Sequence, residues 1–261
     1  VTGNHWCYPL GLVLTAIIDP AFDLAAYSFA AQSIIAACAG LTIVWNVVLA
    51  PFTLGERLTP LRVTGSILIC AGTVGVGFFG NHNEVDRSPT EYIDLFLRPV
   101  AMTYYALFMC WVLVASSFYC HDPKTPLGAF FLCALGGSLA GNSFSTKAAV
   151  ELAVEPGFYK DATFYLFAFI SLANAVLSLY LLAVSLRSFE ALYMITVYQG
   201  YFILSGALSG NFVMDDKAGQ SWTALGLYTF SIAVILVGLG TLCRGELTAR
   251  KPPQGQGAAM L

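Results

Sequence analysis

Charged side chains are scarce in this sequence. Only 10% of its 261 residues are Asp, Glu, Lys or Arg, whereas ordinary soluble domains contain roughly 25%. Hydrophobic residues make up 57% of the chain, and they occur in long runs between short polar segments. This composition does not fit a soluble globular domain and is typical of a polytopic helical membrane protein.

Several other features are missing, and each absence removes a class of function. The net charge is −3 and no block is rich in Lys and Arg, so nothing points to nucleic-acid binding. The seven cysteines have no C-x-x-C spacing, which favours buried thiols over a metal or disulfide framework. No nucleophile elbow, phosphate loop or HExxH motif is present. We therefore expect neither an enzyme nor a bound cofactor.

Eight apolar segments are each long enough to cross a bilayer as a helix, which takes about 20 residues. Turn or charge signals separate them, among them Gly55-Glu56-Arg57 and the polar run 81–99. We predict an all-α transmembrane bundle over residues 1–245 and a disordered, Pro- and Gly-rich tail over 246–261. The predicted spans are 6–29, 34–54, 62–80, 99–119, 127–150, 162–185, 191–213 and 221–243.

Basic residues are unevenly divided between the two sides of this predicted bundle. The side with more basic residues includes Arg57, Arg187 and Lys251, and it also carries both ends of the chain. The positive-inside rule makes that side cytoplasmic. The loops of the opposite side are rich in Asp and Glu, either as ordinary solvated charge or as a surface that attracts cations. We predict a multi-pass membrane protein with both ends in the cytoplasm, and the sequence identifies no organelle.

Two parts of the chain resemble each other weakly. An offset of 159 places residues 33–56 over 192–215, and an offset of 161 places Gly65 and Gly77 over Gly226 and Gly238. The second and seventh predicted spans are five apart, so the two copies run in opposite directions. Inverted repeats of this kind are typical of secondary transporters. We predict a ten-helix-type inverted-repeat fold, present here as eight helices, with at least one helix before Val1 absent from this chain.

The first predicted span carries an unusual polar stripe. Thr15, Asp19, Asp23 and Tyr27 recur in steps of four, which places them on one helical face, about 6 Å apart along the axis. One charge at the bilayer centre costs at least ~2.5–3.5 kcal/mol. Pro20 would kink the helix and free a carbonyl oxygen. Asp19 and Asp23 could bind Mg²⁺ or Ca²⁺ or relay protons, or Asp19-Pro20 could be a simple turn.

Other predicted spans carry polar residues that would line a cavity if they faced inward together. Each such residue, taken singly, could instead join neighbouring helices through hydrogen bonds. The cavity candidates are Asn46, Asn142, Asn174, Thr196 and Gln199.

The fifth predicted span contains one lysine and one small-residue motif. Lys147 could pair with Glu151 at i+4, counter the charge of the acidic pair, or snorkel to the membrane interface, which we consider the better interpretation. Gly137-x-x-x-Gly141 allows close helix contact and is interpreted as packing.

A family resemblance covers nearly the whole chain at low identity. The run DLAAYSFAAQSIIAACAGLTIVWNVVLAPFTLGERLTP and the following GSILICAGTVGVGFFG resemble the NIPA-like magnesium transporters of the drug/metabolite transporter superfamily. The matching motifs are the helix end at 23–31, Leu54-Gly55-Glu56 and the span opening at Gly65. This sequence departs from the family at two places. It has Ala36-Ala37 where the family has a Thr-Pro pair, and Asp23 where the family has Asn. The resemblance implies a nine-helix plan whose first helix is absent from this chain.

These observations predict a transporter that moves a divalent cation, with Mg²⁺ as the first candidate, by alternating access. Asp19, Asp23 and Tyr27 would bind the cation, and the cavity candidates would line its route. Two alternatives stay open: a proton-coupled metabolite carrier of the same superfamily, and a non-transporting scaffold subunit of a larger membrane complex. The expected partners are the lipid bilayer, the cation or a small solute, and a second copy or a larger complex.

Overall fold

The computed structural model describes residues 18–27, 29–53, 59–81, 88–121, 125–154, 160, 162–186, 191–217 and 219–249. Within these ranges no β-strand occurs, which agrees with the predicted all-α class. The helices are α1 Asp19–Tyr27, α2 Gln32–Cys38, α3 Gly40–Thr53, α4 Pro60–Phe79, α5 Pro89–Phe96, α6 Pro99–His121, α7 Pro126–Gly141, α8 Phe144–Val154, α9 Ala162–Leu186, α10 Ala191–Phe212 and α11 Trp222–Ala249.

Six segments of the described chain are long and apolar enough to cross a membrane, and each overlaps one predicted span. The predicted span 6–29 lies mostly outside the described residues, and α10 is not among the six. The total of eight spans therefore stays a prediction. The six segments are Gln32–Leu49, Pro60–Phe79, Pro99–His121, Leu127–Val154, Ala162–Leu186 and Trp222–Arg244.

Three helices begin at a hydroxyl residue followed by proline. The side chains of Thr59 and Thr125 accept hydrogen bonds from backbone N–H groups three residues later, at 3.3 and 3.2 Å. Ser88 forms a capping box with Glu91, whose carboxylate accepts from the Ser88 N–H at 2.9 Å. Each cap satisfies helix donors that have no partner within the helix. The following proline suits the first helical position, where no N–H is needed.

The structure adds helix at two places where the apolar runs predicted none. Helix α5 lies inside the segment predicted as a polar break, and its Tyr92, Leu95 and Phe96 are buried against α8 and α9. It is too short to span a membrane, so a search for long apolar runs misses it. Helix α11 continues to Ala249, beyond the predicted start of the tail at residue 246. Good helix formers such as Glu246 and Leu247 extend a helix past its apolar part.

The helices pack through small residues. Helix α4 lies antiparallel to α11: a Cβ atom on Gly65 would lie 2.8 Å from the Gly238 carbonyl oxygen, and Gly72 faces Ile235. Helix α10 contacts α2, α7, α9 and α11, which places it at the centre of the bundle. Helix α9 instead exposes large apolar side chains, among them Phe169 at 71%. Such a surface fits contact with lipid.

Candidate functional site

The span Leu127–Val154 is interrupted near its middle. Helix α7 ends at Gly141 and α8 begins at Phe144, with Asn142 at φ −77° and ψ 56° between them. The Gly141 carbonyl accepts hydrogen bonds from Gln32 Nε2 at 3.2 Å and Ser209 Oγ at 3.4 Å. Irregular backbone at membrane depth is tolerated only where protein or an aqueous cavity surrounds it. Here the side chains of α2 and α10 provide that surrounding.

The turn between α1 and α2 contacts this interruption. The Tyr27 hydroxyl donates to Ser143 Oγ at 2.7 Å. Lys147 Nζ donates to the Ala30 carbonyl at 3.0 Å, and Gln32 Nε2 also donates to Ser209 Oγ at 2.7 Å. We call this site the junction, and it comprises Tyr27, Ala30, Gln32, Gly141, Asn142, Ser143, Lys147, Glu151 and Ser209.

Gln32 is the most enclosed polar side chain of the junction. It is 0% exposed, and its amide nitrogen makes the two bonds described above. Its Oε1 atom has no hydrogen-bond partner among the described residues. A buried acceptor without a partner costs free energy, so this oxygen is available to a ligand or to water.

Glycines allow the close approach that builds the junction. Gly137 packs against the backbone of Tyr198 in α10, and Gly141 packs against Ser205 and the Phe202 carbonyl. A side chain at either glycine would collide with that backbone. The Gly137-x-x-x-Gly141 motif thus has the packing role inferred for it.

A second chain of hydrogen bonds connects Asn142 to an apolar groove. The Tyr104 hydroxyl donates to Asn142 Oδ1, and Asn142 Nδ2 donates to the Ser138 carbonyl at 2.9 Å. Trp111 Nε1 donates to Ser138 Oγ at 3.1 Å. The groove, of about 640 Å³, lies between α6, α7 and α10. Its lining residues with polar atoms are Thr103, Tyr104, Trp111, Ser138, Tyr201 and Ser205.

Lys147 is buried, so the prediction that it snorkels to the interface is wrong. It is 3% exposed, and its Nζ lies 3.4 Å from Glu151 Oε1, the i+4 pairing considered above. Helix α8 packs beneath α5, whose Tyr92 and Phe96 belong to the same buried cluster as Ala148.

Asp216 holds the start of α2 beside the junction. Its Oδ2 accepts from the Ser33 N–H at 3.1 Å, and its carbonyl accepts from Asn81 Nδ2 at 2.7 Å. Its own N–H donates to the Gly210 carbonyl at 3.0 Å. The loop after α10 is thereby tied to α2 and to the end of α4.

The structure brings only part of the predicted cation site into the junction. Tyr27 is buried there, but Asp23, one turn earlier in α1, is exposed. Thr15 and the side chain of Asp19 lie outside the described residues. Among the described residues no group of three or more His, Cys, Asp and Glu side chains is placed to hold a metal ion. A site built from the two aspartates remains a prediction.

The predicted cavity residues are placed in different surroundings. Asn142 is buried in the junction, and Thr196 is buried in α10. Gln199 is half-buried, and its Oε1 has no hydrogen-bond partner among the described residues. Asn174 is half-buried in α9, and the side chain of Asn46 lies outside the described part of the chain.

Sequence reasoning missed four members of this hydrogen-bonded set. They are Gln32, Ser143, Ser209 and Tyr104, and no regular helical spacing links these four positions. One signal was present: Gly, Asn and Ser follow one another at 141–143 within a long apolar span. Residues that favour turns predict an interruption there.

Comparison with known proteins gives one family and several relatives. The family model described as Magnesium transporter NIPA matches residues 4–245. Two proteins of Arabidopsis thaliana are similar to the chain. Probable magnesium transporter NIPA1 is 25% identical over 248 residues, covering 92% of this chain and 70% of the relative. Probable magnesium transporter NIPA2 is 26% identical over 245 residues, with the same coverage.

The names of these relatives are those of transporters, which confirms the expectation that the chain is not an enzyme. The match also confirms the family resemblance drawn from the motifs at 23–31 and 54–56. No solved structure matches the chain significantly.

Proposed function

Because the chain belongs to the family of NIPA magnesium transporters, we propose that it moves Mg²⁺ across a membrane by alternating access. The observation that carries this proposal is the junction. It places carbonyl, hydroxyl and amide oxygens inside an apolar bundle, where an interrupted span meets a tight turn. Oxygen atoms are the ligands that Mg²⁺ prefers, and broken helices are the usual place for ion sites in transporters.

The inverted repeat is part of this proposal, and helix packing supports it. Under the predicted offsets, α2 and α3 correspond to α10, and α4 corresponds to α11. Helix α4 packs antiparallel on α11, with Gly65 at Gly238 and Gly75 at Ser231. Helix α2 packs antiparallel on α10, with Ala36 at Gly206 and Ser33 at Gly210. Pairing between oppositely directed counterparts is what a two-fold axis in the membrane plane would produce.

We place the cation route along α1 and α10. Asp19 and Asp23 would attract the cation, and Tyr27 and Asn142 would contact it at the junction. Thr196 and Gln199, nearer the start of α10, would continue the route toward the cytoplasm, with Asn46 and Asn174 as further members. Both ends of this chain would lie on the cytoplasmic side, as the charge distribution predicts.

The test is Mg²⁺ flux through the full-length protein in liposomes containing a Mg²⁺-sensitive dye. Gln32→Leu should slow the flux, because it removes two buried hydrogen bonds and the buried Oε1 acceptor of the junction. Thr229→Val, an exposed change on α11, is the control and should leave flux unchanged. Wild-type protein that carries no Mg²⁺ would refute the proposal. Flux of an organic solute that depends on pH and ignores Mg²⁺ would favour the metabolite carrier.

A further inference from the structure

Lys147 occupies a position that suits a bound cation. Its Nζ lies 3.0 Å from the Ala30 carbonyl oxygen and 3.4 Å from Glu151 Oε1. The two oxygens come from different elements, the α1–α2 turn and α8. Both side chains are largely enclosed, at 4% and 17% exposure. A carbonyl and a carboxylate around one positive charge form the kind of donor set that hard cations use.

Stability alone does not explain this ion pair. Removing two charges from water costs more than their attraction usually returns, and apolar replacements of buried pairs are often neutral or stabilising. A charged pair at the junction of an interrupted span therefore calls for a functional reason. Ionisable residues at membrane depth commonly mark ion pathways.

We propose that the Lys147 ammonium is the resident cation of a binding site that the transported divalent cation enters by displacing it. The inference rests on the proposed function. In the empty carrier the ammonium neutralises Glu151, so the protein can change conformation without an uncompensated buried charge. In the loaded carrier Mg²⁺ contacts Glu151 and the Ala30 carbonyl, and the lysine swings aside. No covalent bond is made or broken and no proton is transferred, since the two oxygens exchange contact with the ammonium for contact with Mg²⁺.

Displacement also accounts for the small number of acidic ligands. The described residues hold no trio of metal-binding side chains, so Mg²⁺ would bind weakly and leave readily. When the Lys147 ammonium returns, it competes with Mg²⁺ for the same two oxygens and speeds the release of Mg²⁺. A conducted ion must bind its site strongly enough to enter it and weakly enough to leave it.

The test compares Lys147→Met with wild type, using Lys160→Met, an exposed lysine, as the matched control. Mg²⁺ binding to the purified full-length protein is measured by calorimetry. Lys147→Met should bind Mg²⁺ more tightly, by about 5- to 150-fold, the usual range of coupling between two ligands. The double variant Lys147→Met/Glu151→Gln should lose this gain, because it lacks the carboxylate.

Transport in liposomes gives a second readout that a merely structural lysine would not change in this way. Lys147→Met should lose net Mg²⁺ transport, because its empty form buries the Glu151 carboxylate without the Lys147 ammonium and returns too slowly. It should retain exchange of labelled for unlabelled Mg²⁺, since the loaded carrier still moves. Equal loss of both activities, or Mg²⁺ binding no tighter than that of wild type, would overturn the inference.

Folding of the variant provides a further check. If Lys147→Met is unstable alone, Mg²⁺ in the purification buffer should rescue it, and the double variant should need no Mg²⁺. Failure of Mg²⁺ to rescue would contradict the displacement site. These outcomes concern only the variants, whereas wild-type protein that neither binds nor carries Mg²⁺ would refute the proposed function itself.

Discussion

The Tyr27 hydroxyl donates a 2.7 Å hydrogen bond to Ser143 Oγ, joining two residues that are 116 positions apart. Tyr27 is the last residue of α1, and Ser143 lies in the break between α7 and α8. Both side chains are buried. The bond therefore links the two irregular backbone segments on which the proposed transport site depends.

Replacing Tyr27 by Phe should weaken this link without changing the shape of the core. Loss of one buried hydrogen bond costs about 0.5–1.5 kcal/mol of unfolding free energy and leaves Ser143 Oγ without its donor. If the junction must keep its geometry to pass the cation, Mg²⁺ flux should fall by roughly fivefold. Tyr180→Phe, on the exposed face of α9, is the control. Equal flux in both variants would show that the bond is only structural.

Gly141→Ala should separate α7 from α10. The added Cβ would meet Ser205 Oγ and the Phe202 carbonyl, so the backbone must shift. Overpacking of this kind typically costs about 1–3 kcal/mol, measurable by unfolding in detergent. The control is Gly77→Ala, where a Cβ meets nothing within 4 Å. That change should be neutral or stabilising by about 0.5–1 kcal/mol, and a destabilised Gly77→Ala would contradict the packing described.

Tyr104 and Asn142 should be energetically coupled. Tyr104→Phe and Asn142→Ala each break the same buried hydrogen bond, so the double variant should be more stable than the sum of the single losses predicts. Residues in contact show coupling of about 0.5–3 kcal/mol in a double-mutant cycle. The pair Tyr104→Phe and Asn174→Ala provides the reference cycle and should be additive. A coupling near zero for Tyr104 and Asn142 would exclude the bond.

Asp23→Asn tests whether the exposed carboxylate of α1 serves the cation route. Exposed substitutions usually alter stability by less than about 0.5 kcal/mol, so any loss of flux would report on the cation and not on folding. We expect a raised half-saturating Mg²⁺ concentration, because a negative charge on the approach is lost. Asp94→Asn in α5, also exposed, should leave it unchanged. If Asp23→Asn leaves the half-saturating Mg²⁺ concentration unchanged, Asp23 does not belong to the proposed route.

The sequence was a good guide wherever a property depends on a continuous stretch of chain. The predicted spans 62–80, 99–119 and 162–185 match α4, α6 and α9 within a few residues. Helix α5 was missed because its amphipathic pattern covers only eight residues. Of the predicted site, Tyr27 and Asn142 lie in the junction, whereas Asp23 faces outward. A periodicity of four identifies a helix face but not the direction in which that face points.

The amino-acid sequence by itself determined the helical class, the membrane environment and the family. Each follows from local composition or from the chain as a whole: long apolar runs satisfy their backbone hydrogen bonds in lipid by forming helices, and the family model matches residues 4–245. Only the tertiary structure decided which polar residues meet. Gln32 reaches Ser209 across 177 positions, and Lys147 reaches Ala30 across 117. Such contacts depend on how closely the glycine-lined helices pack against one another. The separation between two helices cannot be read from a local pattern in either of them.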